Sequence, residues 1–548
     1  MSDTELAGTE QGGLRCSFGY PDAGRYAEAV DQLVADRVAS GITQQNATLW
    51  GAEAESEASI RLSWATLAET SRPLVGEITA LADELRAEGL DHVVLAGMGG
   101  SSLAPEVICA TAGVELVTLD TTDPGQVSAA LAQDLDRTVL VVSSKSGGTV
   151  ETDSHRRAYE KAFTDAGIDP RSRIVVVTDP GSPLQQTAAQ AGYRKVFLAD
   201  PHVGGRYSAL TAFGLVPSGL AGADIGALLD GAATAASALA ADERDNPGLR
   251  LGAVLGLAHA DGADKVVFAD FGSGIDGFGD WAEQLIAEST GKHGKGLLPV
   301  VVEGTQAPGY RDAGKDATLI RIGGGPDDQV PDGSGWTAAT AGPLGAQFLL
   351  WEYATAVAGR LIGINPFDQP NVEEAKKQAR ALLDAPSGQQ ADEPAFTDGA
   401  IQGYADNLDL SEVSDLAGAL AALFDAAPEL GYVSIQAYLD RHADASAADL
   451  RPAVASRTGL QTTFGWGPRF LHSTGQYHKG GHPNGVFLQL TGAVIQDLPV
   501  PDRPYSFGSL QAAQAAGDAT VLTGHGRPVL RLHLTDRAAG LAQLLTAF

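Results

Sequence analysis

A run of hydroxyl-bearing and glycine residues follows an apolar segment and is the first part of the sequence that suggests chemistry. Residues 139–142 predict a buried strand and residues 149–163 predict a helix, so the turn between them lies at a helix N-terminus. Backbone N–H groups at such a position favour anions, and hydroxyls add neutral hydrogen bonds to the same oxygens. A capped turn without a ligand is the plainer alternative. We predict that this turn binds a phosphate group through Ser144, Lys145, Ser146, Gly147, Gly148, Thr149 and Thr152.

A second glycine-rich turn, GMGGSS at residues 97–102, follows another predicted strand. That strand comes two strands earlier in the chain than the strand of the phosphate turn. It weakly matches a dinucleotide fingerprint, and Asp120 stands where a ribose-binding acid would be, which leaves an NAD-linked oxidoreductase as an alternative. We favour a different hypothesis, in which both turns meet at the carboxyl edge of one sheet and hold one small phosphate ester. Gly100 and Ser101 would then be substrate-binding residues.

The sequence around these turns predicts a series of short apolar strands that alternate with helices. Such alternation is typical of parallel sheets covered on both faces, so the sequence predicts an α/β fold with two doubly wound sheets. We expect five parts: N-terminal helices (1–75), a first sheet domain with the phosphate site (76–225), the first part of a second sheet domain (226–392), a helical insert (393–458), and a C-terminal part that completes the second sheet domain (459–548). Residues 410–424 and 433–439 are the helices expected in the insert.

Composition narrows the class of protein. The 548 residues carry 68 acids against 37 bases, a net charge of −31, which disfavours binding to nucleic acid or to anionic membranes. Two cysteines, Cys16 and Cys109, cannot build a disulfide framework, and no apolar stretch is long enough to cross a bilayer. We expect a cytoplasmic protein in which a phosphate is held by local donors.

Five ordered motifs give the sequence a family resemblance. GMGGS at 97–101 and SKSGGT at 144–149 resemble the sugar isomerase (SIS) domain of phosphoglucose isomerases. GGRYS at 204–208, QLIAESTGK at 284–292 and FDQPNVEEAK at 367–376 resemble further signatures of that family. The resemblance implies two SIS domains, and an aldose–ketose isomerisation that needs no cofactor and no metal, within glycolysis and gluconeogenesis.

The resemblance also assigns roles residue by residue. Glu288 matches the base that moves a proton between C2 and C1, Arg206 the cation beside the enediolate, and Lys376 the lysine near the ring oxygen. Gln284 and Gln369 match sugar-contacting positions. Taken alone, each of these residues would be an ordinary polar surface residue.

The family's ring-opening histidine is best matched by His472, in LHSTGQY at 471–477, although it follows Lys376 instead of preceding it. The C-terminal third therefore resembles a rearranged piece of the second domain, as in the isomerase portion of bacterial transaldolase/phosphoglucose isomerase proteins. The family implies a homodimer in which this histidine crosses the interface. Two alternatives stay open: His293 as the ring-opening group, and a metal site formed by His472 with His478 and His482.

Together these residues predict an isomerase that interconverts glucose 6-phosphate and fructose 6-phosphate through an enediolate. A non-catalytic sugar-phosphate sensor of the same fold is one alternative, since a sensor needs only the phosphate turns. An isomerase of another sugar phosphate is the other alternative, because the phosphate grip is shared between such substrates.

Overall fold

The computed structural model describes residues 7–324, 334–384 and 393–548, without the side chains of residues 7, 372, 373, 375, 376 and 384. Its strands, in chain order, are β1 (Ala7–Gln11), β2 (Leu14–Gly19), β3 (His92–Gly97), β4 (Val117–Leu119), β5 (Thr138–Ser143), β6 (Ile174–Thr178), β7 (Lys195–Leu198), β8 (Lys265–Phe271), β9 (Leu298–Val301), β10 (Ala317–Gly323), β11 (Thr337–Ala341), β12 (Phe396–Asp398), β13 (Ile401–Asp406), β14 (Tyr432–Tyr438), β15 (Gln461–Trp466), β16 (Gly485–Gly492) and β17 (Val529–Leu534).

The α-helices of the same residues are α1 (Ala23–Ala35), α2 (Val38–Thr43), α3 (Glu55–Ala58), α4 (Leu67–Thr70), α5 (Arg72–Ala87), α6 (Leu103–Ala112), α7 (Pro124–Leu131), α8 (Val150–Asp165), α9 (Pro183–Ala191), α10 (Ala212–Ala221), α11 (Ile225–Leu239), α12 (Pro247–Ala260), α13 (Phe278–Thr290), α14 (Leu344–Ile362), α15 (Val372–Asp384), α16 (Leu416–Asp425), α17 (Leu450–Thr458), α18 (Gly475–Gly480), α19 (Phe507–Gly524) and α20 (Arg537–Thr546). Within the described part of the chain, no helix has the length and apolar character that a membrane crossing requires.

The first sheet has the order β4-β3-β5-β6-β7, with every neighbouring pair parallel. Its three central strands are buried along their whole length, which explains their near-continuous apolar sequence. Because β3 pairs directly with β5, the turns that follow these strands lie side by side at one sheet edge. The expected meeting of the two glycine-rich turns is therefore confirmed.

The second sheet has the order β1-β2-β11-β10-β8-β9, with β11, β10, β8 and β9 parallel. Strands β1 and β2 form an antiparallel hairpin that adds to β11. The expectation that residues 1–75 contain only helices is therefore wrong. Strand β2 pairs with β11 through Ser17, Phe18 and Gly19 and so extends the second sheet. A prediction based on helical spacing does not anticipate this pairing.

The third sheet, of order β12-β13-β17-β16-β14-β15, was not expected. The predicted helical insert is wrong, because residues 396–398, 401–406 and 432–438 are strands of this sheet. The C-terminal strands β16 and β17 also join it and do not complete the second sheet. In β14, Val433 and Ile435 belong to one buried core while Ser434 points to the opposite face, and this period of two is typical of a strand, not of the expected helix.

Polar contacts dock the third sheet against the other two. Arg537, on α20, forms an ion pair with Asp123 at 2.8 Å, and the Thr122 hydroxyl donates to Gln514 on α19 at 2.8 Å. Arg451, on α17, donates from Nε to Glu303 at 2.6 Å. The α/β class with parallel sheets is confirmed, and its layers are three sheets packed in one chain.

Candidate active site

The phosphate turn lies between β5 and α8 and is folded by its own hydroxyls. Ser144 Oγ lies 3.1 Å from Thr149 Oγ1 and accepts a hydrogen bond from the Gly147 amide at 3.1 Å. Ser146 Oγ accepts from the Gly148 amide at 3.2 Å. Gly147 has φ +68°, a left-handed conformation that glycine adopts without strain. Thr152 lies one turn along α8 and is buried.

Lys145 occupies a different environment from its neighbours in this turn. Its ammonium pairs with Asp179 at 2.7 Å and donates to the carbonyls of Pro201 and Val203 at 3.2 and 2.9 Å. These contacts tie the turn to the chain beyond β6. They also neutralise the one lysine in the motif, so the hydroxyls and backbone amides are left to contact an anion.

The first glycine-rich turn is held by a close backbone approach. A Cβ on Gly100 would lie 1.9 Å from the carbonyl oxygen of Gly205, so only glycine fits there. Ser208 Oγ donates to the Gly100 carbonyl at 3.3 Å, and Ser101 is buried beside it. This contact brings the 3₁₀ turn Gly205–Tyr207, with Arg206, against the sheet edge. The close approach at Gly100 is therefore to protein backbone.

Arg206 and Glu288 meet in the structure. Arg206 is buried, its NH1 lies 3.3 Å from Glu288 Oε1, and the same NH1 donates to Gln369 Oε1 at 3.0 Å. Its Nε donates to Ser289 Oγ at 2.8 Å, and its NH2 donates to the carbonyl of Pro366 at 2.7 Å. Because its donors engage two segments, α13 and residues 366–369, the guanidinium is fixed next to the carboxylate.

Gln284 joins this pair to the histidine. On α13 it lies one turn before Glu288, and its Nε2 donates both to Glu288 Oε2 at 3.1 Å and to the His472 carbonyl at 2.8 Å. A Cβ on Gly99 would lie within 3 Å of both partners, at 2.8 Å from the His472 carbonyl oxygen and 2.9 Å from Gln284 Nε2. The first turn, α13 and the histidine segment therefore converge, and they do so within one chain.

His472 lies at the end of the 3₁₀ turn Arg469–His472, after β15, and faces the first sheet. Its Nε2 lies 3.1 Å from Glu151 Oε1, and Gln514 Nε2 donates to the same carboxylate oxygen at 2.6 Å. Glu151 is a functional candidate that the sequence interpretation missed. It lies two residues after the SKSGGT motif, where an acid in a first helical turn is ordinary, and only the fold shows that it is buried against an imidazole.

A cavity of about 260 Å³ opens between the phosphate turn, α15 and the third sheet. Thr149, Glu151 and His472 line one side of it, and Ala379 and Arg380 line another. This volume suits a small ligand. Lys376 belongs to α15, but its side chain lies outside the described residues.

The three histidines of the alternative interpretations, His293, His478 and His482, have other surroundings in the described structure. His293 is exposed in a turn with φ +58°. His478 is buried between the Tyr432 hydroxyl and Ser434 at 3.1 and 3.3 Å, where burial and the nearby charges of Lys479 and Arg527 lower its pKa to about 3. His482 faces Asp264. The three histidines of the metal alternative thus have separate partners.

Lys292 is a second feature that the sequence interpretation left out. Its fully buried ammonium donates to the carbonyls of Asn365 and Asp368 at 2.7 and 2.6 Å and to the Asp368 carboxylate at 2.7 Å. Burial, with the nearby Arg206 charge, lowers the pKa of Lys292 to about 8, although Asp368 opposes the shift. Lys292 and Arg206 together hold the segment that carries Gln369.

A parallel sheet with a phosphate-type turn at one edge, packed with a mostly parallel second sheet, is typical of the SIS-type fold. A family model for phosphoglucose isomerase matches residues 81–297. The chain is 32% identical over 339 residues to a probable glucose-6-phosphate isomerase of Natronomonas pharaonis, covering 54% of this chain and 79% of that relative. It is 31% identical over 389 residues to a probable glucose-6-phosphate isomerase of Haloarcula marismortui, covering 62% and 86%. The chain belongs to the phosphoglucose isomerase family.

A solved structure agrees with this fold. The crystal structure of a glucose-6-phosphate isomerase from Chlamydia trachomatis superposes with a TM-score of 0.59 at 21% identity, covering 69% of this chain and 89% of that one. At this identity the likeness concerns the fold alone.

Proposed function

We propose that this protein is an enzyme that interconverts glucose 6-phosphate and fructose 6-phosphate. The observation that carries the proposal is the contact of Glu288 with Arg206, at 3.3 Å, joined through Gln284 to a histidine at the edge of a phosphate-type turn. A sensor would need the turn but not this set of groups.

Substrate binding is assigned to the first sheet. The ester phosphate would contact the hydroxyls of Ser144, Ser146 and Thr149, together with backbone amides of the turn at the start of α8. Ser101 would contribute from the neighbouring turn. Because these donors are neutral and local, they bind a dianion in a strongly acidic protein without long-range attraction.

Ring opening is assigned to His472, with Lys376 as its partner from the motif. The imidazole exchanges a proton with the ring oxygen and the C1 hydroxyl, and Glu151, at 3.1 Å, orients the imidazole. Gln514 holds Glu151 in turn.

Proton transfer between carbons is assigned to Glu288. The carboxylate takes the proton from C2 of the open-chain aldose and returns it to C1, while a proton moves between the two oxygens. Arg206 stabilises the negative charge of the enediolate that forms between the two steps. The guanidinium is already fixed by Ser289 and the Pro366 carbonyl, so little reorganisation is needed when that charge develops.

A coupled assay tests the function. Purified, chelator-treated protein is given fructose 6-phosphate, and glucose 6-phosphate is detected with a dehydrogenase. We expect turnover without added metal or cofactor. Tight binding of the sugar phosphate without turnover would favour the sensor, and turnover of another sugar phosphate alone would change the substrate.

Assembly and location belong to the same proposal. The family resemblance suggests a homodimer, which light scattering would test against the chain mass of 56.4 kDa. Cys16 and Cys109 are free and buried, as suits a reducing cytoplasm.

A further inference from the structure

The segment that carries His472 also carries an arginine in a cluster of acids. Arg469 is the first residue of the same 3₁₀ turn, and its guanidinium is about nine-tenths buried. It pairs with Glu106 at 2.6 Å, with Asp120 at 3.3 Å and with Asp280 at 3.7 Å. One side chain of the third sheet layer thus meets carboxylates from three other elements, namely α6, the end of β4 and α13.

The contacts between the histidine segment and α13 lie along one face of that helix. Asp280, Gln284 and Glu288 are spaced by four residues, so they lie along one face of the helix. Arg469 pairs with the first of them, the His472 carbonyl accepts from the second, and the third is the proposed base. The histidine segment is therefore attached to the helix of the base at two successive turns.

The same cluster explains why the carboxylate of Asp120 can be buried. It is almost completely buried, and the dinucleotide alternative assigned it to a ribose. In the fold it faces Arg469 and, at 3.7 Å, Arg441. A buried carboxylate needs a cationic partner, and here that partner comes from the segment that delivers the histidine.

We propose that Arg469 is a positioning residue for ring opening, which sets the place of His472 relative to Glu288 by binding Glu106, Asp120 and Asp280 at once. The proposal rests on the isomerase function proposed above. Arg469 does not touch the substrate. It acts through the short turn between itself and His472, where a displacement of about 1 Å costs on the order of a hundredfold in rate.

Arg441 provides a matched control inside the same cluster. It pairs with Glu106 at 3.0 Å and with Asp120, but it follows β14 and does not belong to the histidine segment. Arg441→Met removes a buried cation from the same acids. If the cluster only stabilises the fold, Arg441→Met and Arg469→Met should have similar effects on turnover.

The test is a double-mutant cycle on turnover of fructose 6-phosphate. We expect Arg469→Met to lower kcat roughly 10–100-fold, with KM and the inhibition constant of inorganic phosphate changed less than about threefold. In a His472→Ala background the same substitution should lower the residual kcat less than about threefold, because the group that it positions is gone. Arg441→Met should retain kcat within about threefold.

Equal losses of kcat from Arg469→Met in the two backgrounds would overturn the proposal, as would equal losses from the two arginine variants. If Arg469→Met does not fold, Arg469→Lys keeps one charge but cannot span three carboxylates, and it should show the same non-additive loss in smaller measure. If the wild-type protein shows no turnover, the proposed function is wrong, and the role of Arg469 is wrong with it. An active wild type with an additive cycle rejects only the role of Arg469.

Discussion

Glu288 and Arg206 lie in contact although 82 positions separate them, and their chemistry depends on that contact. The guanidinium binds three neutral partners, Ser289, Gln369 and the Pro366 carbonyl, and Glu288 supplies the carboxylate beside it. A carboxylate in such a place can work as a base and remain oriented between the two proton transfers.

Glu288→Gln should abolish most turnover and leave substrate affinity near normal. The amide cannot accept the C2 proton, while the phosphate turn on the first sheet is untouched. We expect kcat to fall by roughly 10²–10⁴-fold and the inhibition constant of inorganic phosphate to stay unchanged. Glu243→Gln, on an exposed glutamate, is the control. Near-wild-type turnover of Glu288→Gln would remove this residue from the mechanism.

Buried contacts hold two segments of the proposed site in place. The turn after β3 and the 3₁₀ turn Gly205–Tyr207 touch at Gly100, and the segment of Gln369 is tied down by Lys292. Each contact positions a residue of the proposed site, so each can be tested through its own element.

Gly100→Ala should separate the two turns. Its Cβ would meet the Gly205 carbonyl oxygen at 1.9 Å and so push away the neighbouring Arg206, and we expect kcat to fall about a hundredfold. Gly205→Ala is the matched control, because its Cβ would meet nothing within 4 Å. Similar losses in the two variants, measured in the coupled assay, would contradict the argument from close approach.

Lys292 should give the stability of the protein a pH dependence of known sign. Its pKa is lowered from 10.5 to about 8 by burial and by Arg206, so between pH 8 and 10.5 the unfolded chain binds more protons than the folded one. The free energy of unfolding of the wild type should therefore rise with pH relative to Lys292→Met, by up to about 1.4 kcal/mol per pH unit. Denaturant titrations at pH 7.5, 9 and 10 measure the difference. A wild type that loses stability relative to the variant as pH rises would show that the ion pair with Asp368 outweighs burial.

The proposed site draws its residues from elements on all three sheets of the chain. The first sheet supplies the phosphate turn and Glu151, α13 beside the second sheet supplies Glu288, and the third sheet layer supplies His472. Because His472 contacts Gln284 and Glu151 of its own chain, we expect that it reaches the proposed site without a second copy.

A complementation experiment tests this arrangement. His472→Ala and Glu288→Gln chains are mixed, unfolded together and refolded, and the activity is compared with that of each variant alone. If each site is built within one chain, no mixed assembly contains a complete site and no activity returns. Recovery approaching a quarter of the wild-type activity would show that the histidine is shared between chains, since random pairing produces such hybrids.

Dilution gives an independent result. The specific activity of the wild type should stay constant from micromolar to nanomolar concentration, because dissociation of an assembly would not remove His472 from its own site. A loss of activity that follows the change in mass by light scattering would contradict the prediction.

The sequence determined the parts whose signals are local. Buried runs such as residues 138–143, followed by hydroxyls and glycines, predict a strand, an anion-binding turn and a helix, because short-range periodicity and helix-end chemistry require no distant partner. The ordered motifs also predict roles for Glu288, Arg206 and His472 through the family resemblance. Tertiary structure alone decided that β12–β17 form a third sheet, that Glu151 faces His472, that Lys145 is neutralised by Asp179, and that Asp120 receives Arg469. Those facts are pairings between residues far apart in the chain, and strand order and charge pairing follow from which surfaces pack together, which no local pattern encodes.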